Sequence, residues 1–127
     1  EWHKRTEQRI RHDRLLTTVF GRTRHLDEVE SPNDSAAFHA IRQGINFLVQ
    51  SPAADLTHAA LIALRDRDDI KVVASVHDSI VWEQPEGTGD VIAETVMDNA
   101  LDVLQQRFNF EINIPFEAEW TIGDHWI

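Results

Sequence analysis

The sequence predicts an α+β fold in which an antiparallel sheet is covered on one side by helices. Short β-branched runs at residues 70–76 and 80–83 flank His77-Asp78-Ser79, which is the pattern of a β-hairpin. Residues 112–120 alternate apolar with polar side chains, which predicts a strand with one buried and one solvated face. Elsewhere, apolar residues recur at helical spacing, and these stretches supply the helices that would cover the sheet.

The first third of the chain is expected to hold a surface helix and a short strand. Residues 2 to about 13 are mostly polar and long enough for a helix, which is expected to lie on a surface or against a neighbour. Residues 17–20 are typical of a short strand that turns at Gly21. Residues 27–34 contain Ser31-Pro32-Asn33 and are expected to form a loop.

Three further helices follow from periodicity and capping residues. One is expected from Ser35 to about residue 50, capped by Asp34 or Ser35, with Ser51-Pro52 interrupting it. A second runs from residue 53 to about 67. Beyond the hairpin, residues 90–108 carry apolar side chains every four positions and form a third helix, with Asp90 as its N-cap.

Length and composition favour one ordinary globular unit or a piece of a larger one. The chain has 127 residues, 42% of them hydrophobic, so it can bury a core. No apolar run of membrane-spanning length and no apolar N-terminal leader is evident, so a soluble protein with no membrane partner is expected. The absence of cysteine excludes disulfides and thiolate metal sites, which suits a reducing compartment.

Charge is distributed unevenly along the chain. Residues 1–24 carry seven basic and three acidic side chains, a local charge of +4 within a total of −10, which leaves −14 for the remainder. Contacts with phosphate need Lys and Arg, so the total argues against a protein that simply coats nucleic acid. Any contact with DNA is expected at the N-terminal segment and at isolated bases such as Arg42.

His77-Asp78 is an unusual choice for the tip of a hairpin, where Asn-Gly or Asp-Gly is the common turn. A carboxylate on a rigid tip is a suitable hard-oxygen ligand for Mg²⁺, because two strands fix its direction while its outer side stays open. An aspartate that merely tolerates a turn is an equally good explanation. The His-Asp doublet of metal-dependent phosphohydrolases is a third, although that doublet belongs on a helix.

Arg42, Asn46 and Gln50 recur at intervals of four along the first long helix. Each interval advances about 40° around a helix, so the three side chains share one face. Long polar donors of this kind suit the minor groove of a duplex, where every base pair offers an acceptor. An ordinary solvated helix face is the alternative explanation.

These features, in this order, resemble family A (DNA polymerase I-like) DNA polymerases over nearly the whole chain. Gly21-Arg22-Thr23-Arg24 is similar to the family's Gly-Arg-Arg-Arg element, and Ala53-Ala54-Asp55 to the end of its Gln-Gly-Thr-Ala-Ala-Asp run. Val76-His77-Asp78 is similar to motif C, and Gly123-Asp124-His125-Trp126 to the Gly-x-Asn-Trp ending. The basic first helix led by Trp2 looks more like a bacteriophage polymerase than a cellular one.

The resemblance implies a fold, a site and a set of ligands. Residues 1–33 would form the end of the fingers subdomain and the connecting strands. Residues 34–127 would form the palm, with the motif C hairpin and the C-terminal strand in its sheet. Asp78 would ligate catalytic Mg²⁺, and His77 would position the primer terminus. The positions that match DNA-contacting residues of the family are Arg22, Arg24, Arg42, Asn46 and Gln50.

Three departures from the family accompany the match. Ser79 stands where motif C usually has Glu, Ser51-Pro52 replaces Gly-Thr and is expected to stiffen the break between helices, and the chain ends without the family's usual His. Motif A and the triphosphate-binding residues of the fingers are not in this chain. A fragment or split subunit that is inactive alone is therefore expected. It would work in the cytoplasm, or in the cytoplasm of the host cell if the protein is viral.

The resemblance implies as partners primer-template DNA, dNTP and a remaining polypeptide with motif A and the fingers. It implies two Mg²⁺ ions shared with that polypeptide. A DNA-binding or interaction module that has lost catalysis is the alternative, favoured by Ser79 and by the acidic total.

Overall fold

The computed structural model describes residues 1–65, 67–109, 111–113 and 116–125. Within them, helices alternate with two separate two-stranded antiparallel sheets, and the expected α+β class is confirmed. The elements in chain order are α1 (Trp2–Asp13), β1 (Leu15–Thr17), β2 (Thr23–His25), a short 3₁₀ helix (Asp27–Glu30), α2 (Asp34–Arg65), β3 (Lys71–Val76), β4 (Ser79–Glu83) and α3 (Gly89–Phe108).

The chain divides into two compact units, Glu1–Ala53 and Ala54–Ile127, and α2 contributes residues to both. The subdomain division between residues 33 and 34 refers to a whole polymerase and stays a prediction.

The first unit is built around a small apolar core under α2. Helix α1 ends where expected, at Asp13, and is followed by Arg14, whose φ of 54° places it in the left-handed region. The chain then reverses through β1 and β2, with Leu16 opposite Arg24. The buried residues of this core are Ile10, Leu16, Leu26, Val29, Ala40 and Ile41.

The strand expected at residues 17–20 begins earlier and is shorter. It is Leu15–Thr17, because Thr18 closes the turn that follows. The Thr18 hydroxyl oxygen accepts the backbone N–H of Arg22 at 3.2 Å, and the Thr18 carbonyl accepts that of Gly21 at 3.0 Å. A side chain that bonds to local backbone in this way competes with the ladder of a strand.

Helix α2 is continuous over 32 residues with Pro52 inside it, so the interruption expected at Ser51-Pro52 is wrong. Proline removes one backbone hydrogen bond and crowds the carbonyl four residues earlier, which costs about 3 kcal/mol in a helix interior. Burial of Ile41 in the first unit and Leu64 in the second anchors the helix on either side of that defect. Sequence patterns cannot include this packing energy. Pro52 nevertheless lies close to the division between the two units.

The start of α2 also differs in its capping residue. Asn33, rather than Asp34 or Ser35, accepts the N–H of Ser35 with its side-chain oxygen at 3.0 Å. Its own backbone N–H is held by the hydroxyl of Ser31 at 3.2 Å. Capping at Asn33 starts the helix at Asp34.

Because α2 is unbroken, it is long and apolar enough to cross a membrane by length and composition alone. No apolar run of membrane-spanning length was expected from the sequence. A core helix of a soluble protein meets the same criterion, so the length of α2 is weak evidence for a membrane span.

The second unit contains the predicted hairpin and helix α3. Strands β3 and β4 pair antiparallel from Lys71 opposite Glu83 to Val76 opposite Ser79. Ile70, Ile80 and Trp82 are partly buried against a core of Leu64, Ile92 and Val96. Helix α3 covers the expected span, although Thr88 rather than Asp90 is its N-cap residue.

The strand predicted at residues 112–120 is absent from the part of it that the structure describes, residues 112–113 and 116–120; Ile114 and Pro115 lie outside the described residues. Alternating side chains specify which residues share a face, but a strand also needs backbone hydrogen bonds from a neighbour. No such ladder is formed by residues 111–113 or 116–125. The predicted sheet of hairpin plus C-terminal strand is therefore reduced to the hairpin in the described part of the chain.

Candidate nucleic-acid interface and hairpin turn

The β3–β4 turn consists of His77 and Asp78 alone. Val76 pairs with Ser79, so no further residue separates the two strands, and both turn side chains are exposed. His77 has a φ of 56°. A residue with a Cβ atom is disfavoured there, although His is enriched several-fold over most other types. The two antiparallel strands thus hold His77 in a conformation that an isolated His would rarely adopt.

Strand β3 carries an irregularity three residue pairs away from the turn. The register passes from Val72 opposite Trp82 to Ala74 opposite Val81, which leaves Val73 as the extra residue of a bulge. Bulges bend a strand and increase its local twist. The direction in which the turn points is therefore set by the bulge as well as by the pairing.

Asp78 offers a carboxylate that is free to take an external ligand. Its side chain is exposed and makes no hydrogen bond or ion pair to any other residue that the structure describes. Among the described residues, no group of three or more His, Asp or Glu side chains could enclose a metal ion. Asp78 can thus supply one hard-oxygen ligand, and a complete magnesium site would need ligands from elsewhere.

The base of the hairpin, at the end opposite the turn, is held by charged pairs. Arg67 donates from Nε and Nη2 to the two carboxylate oxygens of Asp69 at 2.9 and 2.6 Å. These hydrogen bonds hold the pKa of the Asp69 carboxyl below its ordinary value. Lys71 and Glu83 face each other across the first strand pair, with 3.8 Å between Nζ and Oε2.

Arg42, Asn46 and Gln50 lie together on α2 in the first unit. All three side chains are exposed, and none is hydrogen-bonded or ion-paired to another residue in the described ranges. The predicted ladder therefore exists as a row of exposed polar side chains along one helix. His77 and Asp78 belong to the second unit.

Arg24 reaches α2 from β2 and joins this surface. Its Nη2 donates to Oε1 of Gln43 at 2.8 Å, and its guanidinium carbon lies 5.9 Å from the centre of the Phe47 ring. An open depression of about 340 Å³ lies beside this contact. The depression is lined by Arg24, Gln43, Asn46, Phe47, Gln50 and Ser51. Three of the five predicted DNA-contacting residues therefore line one surface.

Arg22 lies two residues before Arg24, at the end of the β1–β2 turn, and is exposed. Its backbone N–H donates a hydrogen bond to the hydroxyl oxygen of Thr18. Glycine at position 21 permits the preceding bend, because its φ is 79°.

The residues that sequence analysis missed are His39, Gln43 and Phe47, which form a second row beside the first. They too recur every four positions on α2, and Gln43 and Phe47 directly follow Arg42 and Asn46 of the first row. The spacing of four could therefore have identified this second row from the sequence. The contact of Gln43 with Arg24 could not be predicted from that spacing, because it joins residues 19 positions apart in different elements.

The sequence profile of DNA polymerase family A matches residues 1–127, and the chain belongs to that family. The expected resemblance is thereby confirmed.

The curated relatives include bacterial and phage proteins. A thermostable DNA polymerase I from Thermus aquaticus is 29% identical over 129 residues, which cover 99% of this chain and 15% of the relative. A thermostable DNA polymerase I from Thermus filiformis is 30% identical, again over 99% and 15%. A DNA polymerase of Bacillus phage SP01 is 28% identical over 99% of this chain and 14% of its own length.

A solved structure supports the same fold. It is the POL domain of Pol1 from M. smegmatis in complex with DNA primer-template and dNTP, with a TM-score of 0.70 and 27% sequence identity. The match covers 80% of this chain and 19% of that chain. The present chain thus spans less than a fifth of the length of each of these proteins.

Proposed function

We propose that the chain forms the C-terminal part of the polymerase region of a DNA-directed DNA polymerase. The observation that carries this proposal is the isolated Asp78 carboxylate on a two-residue hairpin turn, in a chain that family A matches from end to end. The reaction would be nucleotidyl transfer, in which a primer 3′-hydroxyl attacks the α-phosphate of a dNTP in line and pyrophosphate leaves. Primer-template DNA and dNTP would be its ligands, as they are in the M. smegmatis complex.

Within that reaction, Asp78 would bind metal and His77 would position the primer terminus. Two Mg²⁺ ions, when bound, would activate the hydroxyl and stabilise charge on the leaving oxygen. A single carboxylate is too few for two hard cations that prefer six oxygen ligands each. The remaining ligands would therefore come from the part of the polymerase that lies outside this chain.

The surface on α2 would hold the duplex near the growing end. Arg42, Asn46 and Gln50 would donate to minor-groove acceptors, which all base pairs present, so the grip would not depend on sequence. Arg22 and Arg24 would contact the backbone, where cations give affinity without base recognition. This division of roles suits an enzyme that must move along any template.

The chain alone would be inactive, and primer extension tests this directly. The purified 127-residue chain should not extend a primer with Mg²⁺ and all four dNTPs. A mixture with a polypeptide that carries motif A and the fingers should do so. Template-dependent extension by the chain alone would overturn the claim that its active site is incomplete.

Replacement of Asp78 in the reconstituted enzyme separates catalysis from a purely structural role. Asp78→Asn keeps the size of the side chain and removes its charge, so extension should fall by several orders of magnitude. Unchanged extension would instead favour the alternative of a DNA-binding module without catalytic function. Nucleotide hydrolysis without primer or template would favour a phosphohydrolase.

A further inference from the structure

Arg24 is held at the edge of α2 by two side chains that lie one turn apart. Gln43 accepts its hydrogen bond at 2.8 Å, and the Phe47 ring faces the guanidinium at 5.9 Å. A guanidinium carries five N–H donors, so a single bond to Gln43 leaves most of them available. Arg24 is also exposed, and the open depression lies beside it.

The direction of the Gln43 amide is set by Arg24, because a guanidinium has donors only and needs the Oε1 acceptor. The Gln43 Nε2 atom lies 2.7 Å from Nε2 of His39, and an amide nitrogen can only donate. His39 must therefore accept at Nε2, as the neutral ring does when Nδ1 carries its proton. With Nε2 committed to His39, the Oε1 atom of Gln43 faces Arg24, which has donors only. In the reverse amide orientation, the Nε2 donors of Gln43 would face the donors of Arg24.

We propose that Gln43 is a positioning residue that holds Arg24 beside Asn46 and Gln50, where the guanidinium meets a phosphate of the bound duplex. His39 contacts the Nε2 end of the Gln43 amide, and the guanidinium of Arg24 lies over the Phe47 ring. This role rests on the proposed function, because it assigns a task within the same DNA-binding surface. Asn46 and Gln50 line the depression with Arg24, so a phosphate bound to Arg24 would lie near the donors of the ladder.

The expected benefit is preorganisation. A free arginine loses rotamer freedom when it binds, and holding it in place beforehand removes part of that cost. For one long side chain this amounts to roughly a three- to tenfold gain in affinity. Removal of the acceptor at position 43 should therefore cost roughly that factor, although Gln43 itself need not touch DNA.

The first experiment measures whether Gln43 orders Arg24 in the 127-residue chain. The heteronuclear NOE of Arg24 Nε, recorded by NMR at neutral pH, should be high in the wild type. It should fall in Gln43→Met, which keeps length and helix propensity but has no strong acceptor. Gln43→Glu retains an acceptor and should keep Arg24 ordered. Gln106→Met, at an exposed position of α3, is the matched control and should leave Arg24 unchanged.

The second experiment measures affinity for a primer-template duplex against salt concentration. Arg24→Ala should weaken binding and reduce the slope of log affinity against log salt by about one. Gln43→Met should weaken binding roughly three- to tenfold, and Gln43→Glu should bind more tightly than Gln43→Met. In the double variant, Gln43→Met should add nothing to Arg24→Ala, because its effect acts through Arg24.

The outcomes separate the two proposals. If Arg24→Ala binds DNA as tightly as the wild type, the DNA surface of the proposed function is wrong and the role of Gln43 in it falls as well. If Arg24→Ala weakens binding while Gln43→Met does not, the positioning role alone is wrong. Additive effects of the two substitutions, or an ordered Arg24 in Gln43→Met, would also overturn that role.

Discussion

Val76 and Ser79 are the last paired residues of the β3–β4 hairpin, and His77 and Asp78 form the entire turn between them. His77 has a positive φ of 56°. A left-handed conformation costs a residue with a Cβ atom about 1–2 kcal/mol, which the pairing of the two strands must offset. A histidine at this place therefore costs stability, as is common where a side chain serves function.

Two substitutions of His77 separate its backbone from its imidazole. Both His77→Gly and His77→Ala remove the ring, but only glycine is relaxed at positive φ. We expect His77→Ala to be less stable than His77→Gly by about 1 kcal/mol in urea unfolding. In the reconstituted enzyme both should extend primers poorly. Full activity of His77→Gly would show that the imidazole has no role beyond the turn.

The polar ladder on α2 predicts two kinds of response to salt. Arg42→Ala should weaken binding to a duplex and reduce the salt slope by about one, because it removes one cation. Asn46→Ala and Gln50→Ala should weaken binding without changing the slope, since neither residue carries charge. Equal slopes for all three variants would argue that the charge of Arg42 releases no counterion from the duplex.

Gly44 is a point of close approach in the core of the first unit. A Cβ atom there would lie 2.6 Å from Cδ1 of Leu26, 2.8 Å from Cδ1 of Ile10 and 3.1 Å from Cδ1 of Leu16. Gly44→Ala gains about 1 kcal/mol of helix propensity but overpacks three buried side chains, at a cost of about 1–3 kcal/mol. We expect a net loss of stability in urea unfolding. Val49→Ala, at an exposed position of the same helix, is the control and should be neutral or slightly stabilising.

Pro52 lies inside a continuous helix, where it removes a hydrogen bond. Relative to alanine, proline is less favourable by about 3 kcal/mol in a helix interior, and its restriction of the unfolded chain returns up to about 1 kcal/mol. Pro52→Ala should therefore raise the free energy of unfolding by about 2 kcal/mol. A decrease would mean that the ring makes packing contacts worth more than the lost bond. Ser51→Ala is the neighbouring control and should change stability by less than about 1 kcal/mol.

Asp69 predicts a specific dependence of stability on pH. Hydrogen bonds from Arg67 lower its pKa in the folded chain, so the pair stabilises the fold above the ordinary Asp value of about 4. That stabilisation is lost as pH falls through the lowered, folded-state pKa. Wild type should therefore unfold at a higher urea concentration than Asp69→Asn at neutral pH, and the difference should vanish in strong acid. A difference that persists in acid would assign the effect to something other than this charge.

The hairpin was predictable from sequence because it is a local structure. Two β-branched runs separated by only three residues can pair in few ways, and His77-Asp78 between them was an unusual choice for a turn. The α2 surface was predictable in part for the same reason, since a spacing of four places residues on one face of any helix. Arg24 and Gln43 meet between elements, and no local pattern encodes that contact.

The sequence by itself determined the α+β class, the hairpin with His77-Asp78 at its tip, helix α3 and the row of donors on α2. Each of these depends on interactions among residues close together along the chain. The tertiary structure decided that α2 continues through Pro52 and that the described C-terminal residues form no strand. It also decided that three core side chains pack against Gly44, where a Cβ atom would collide with them. These outcomes depend on packing energy and on strand partners, which come from distant parts of the chain.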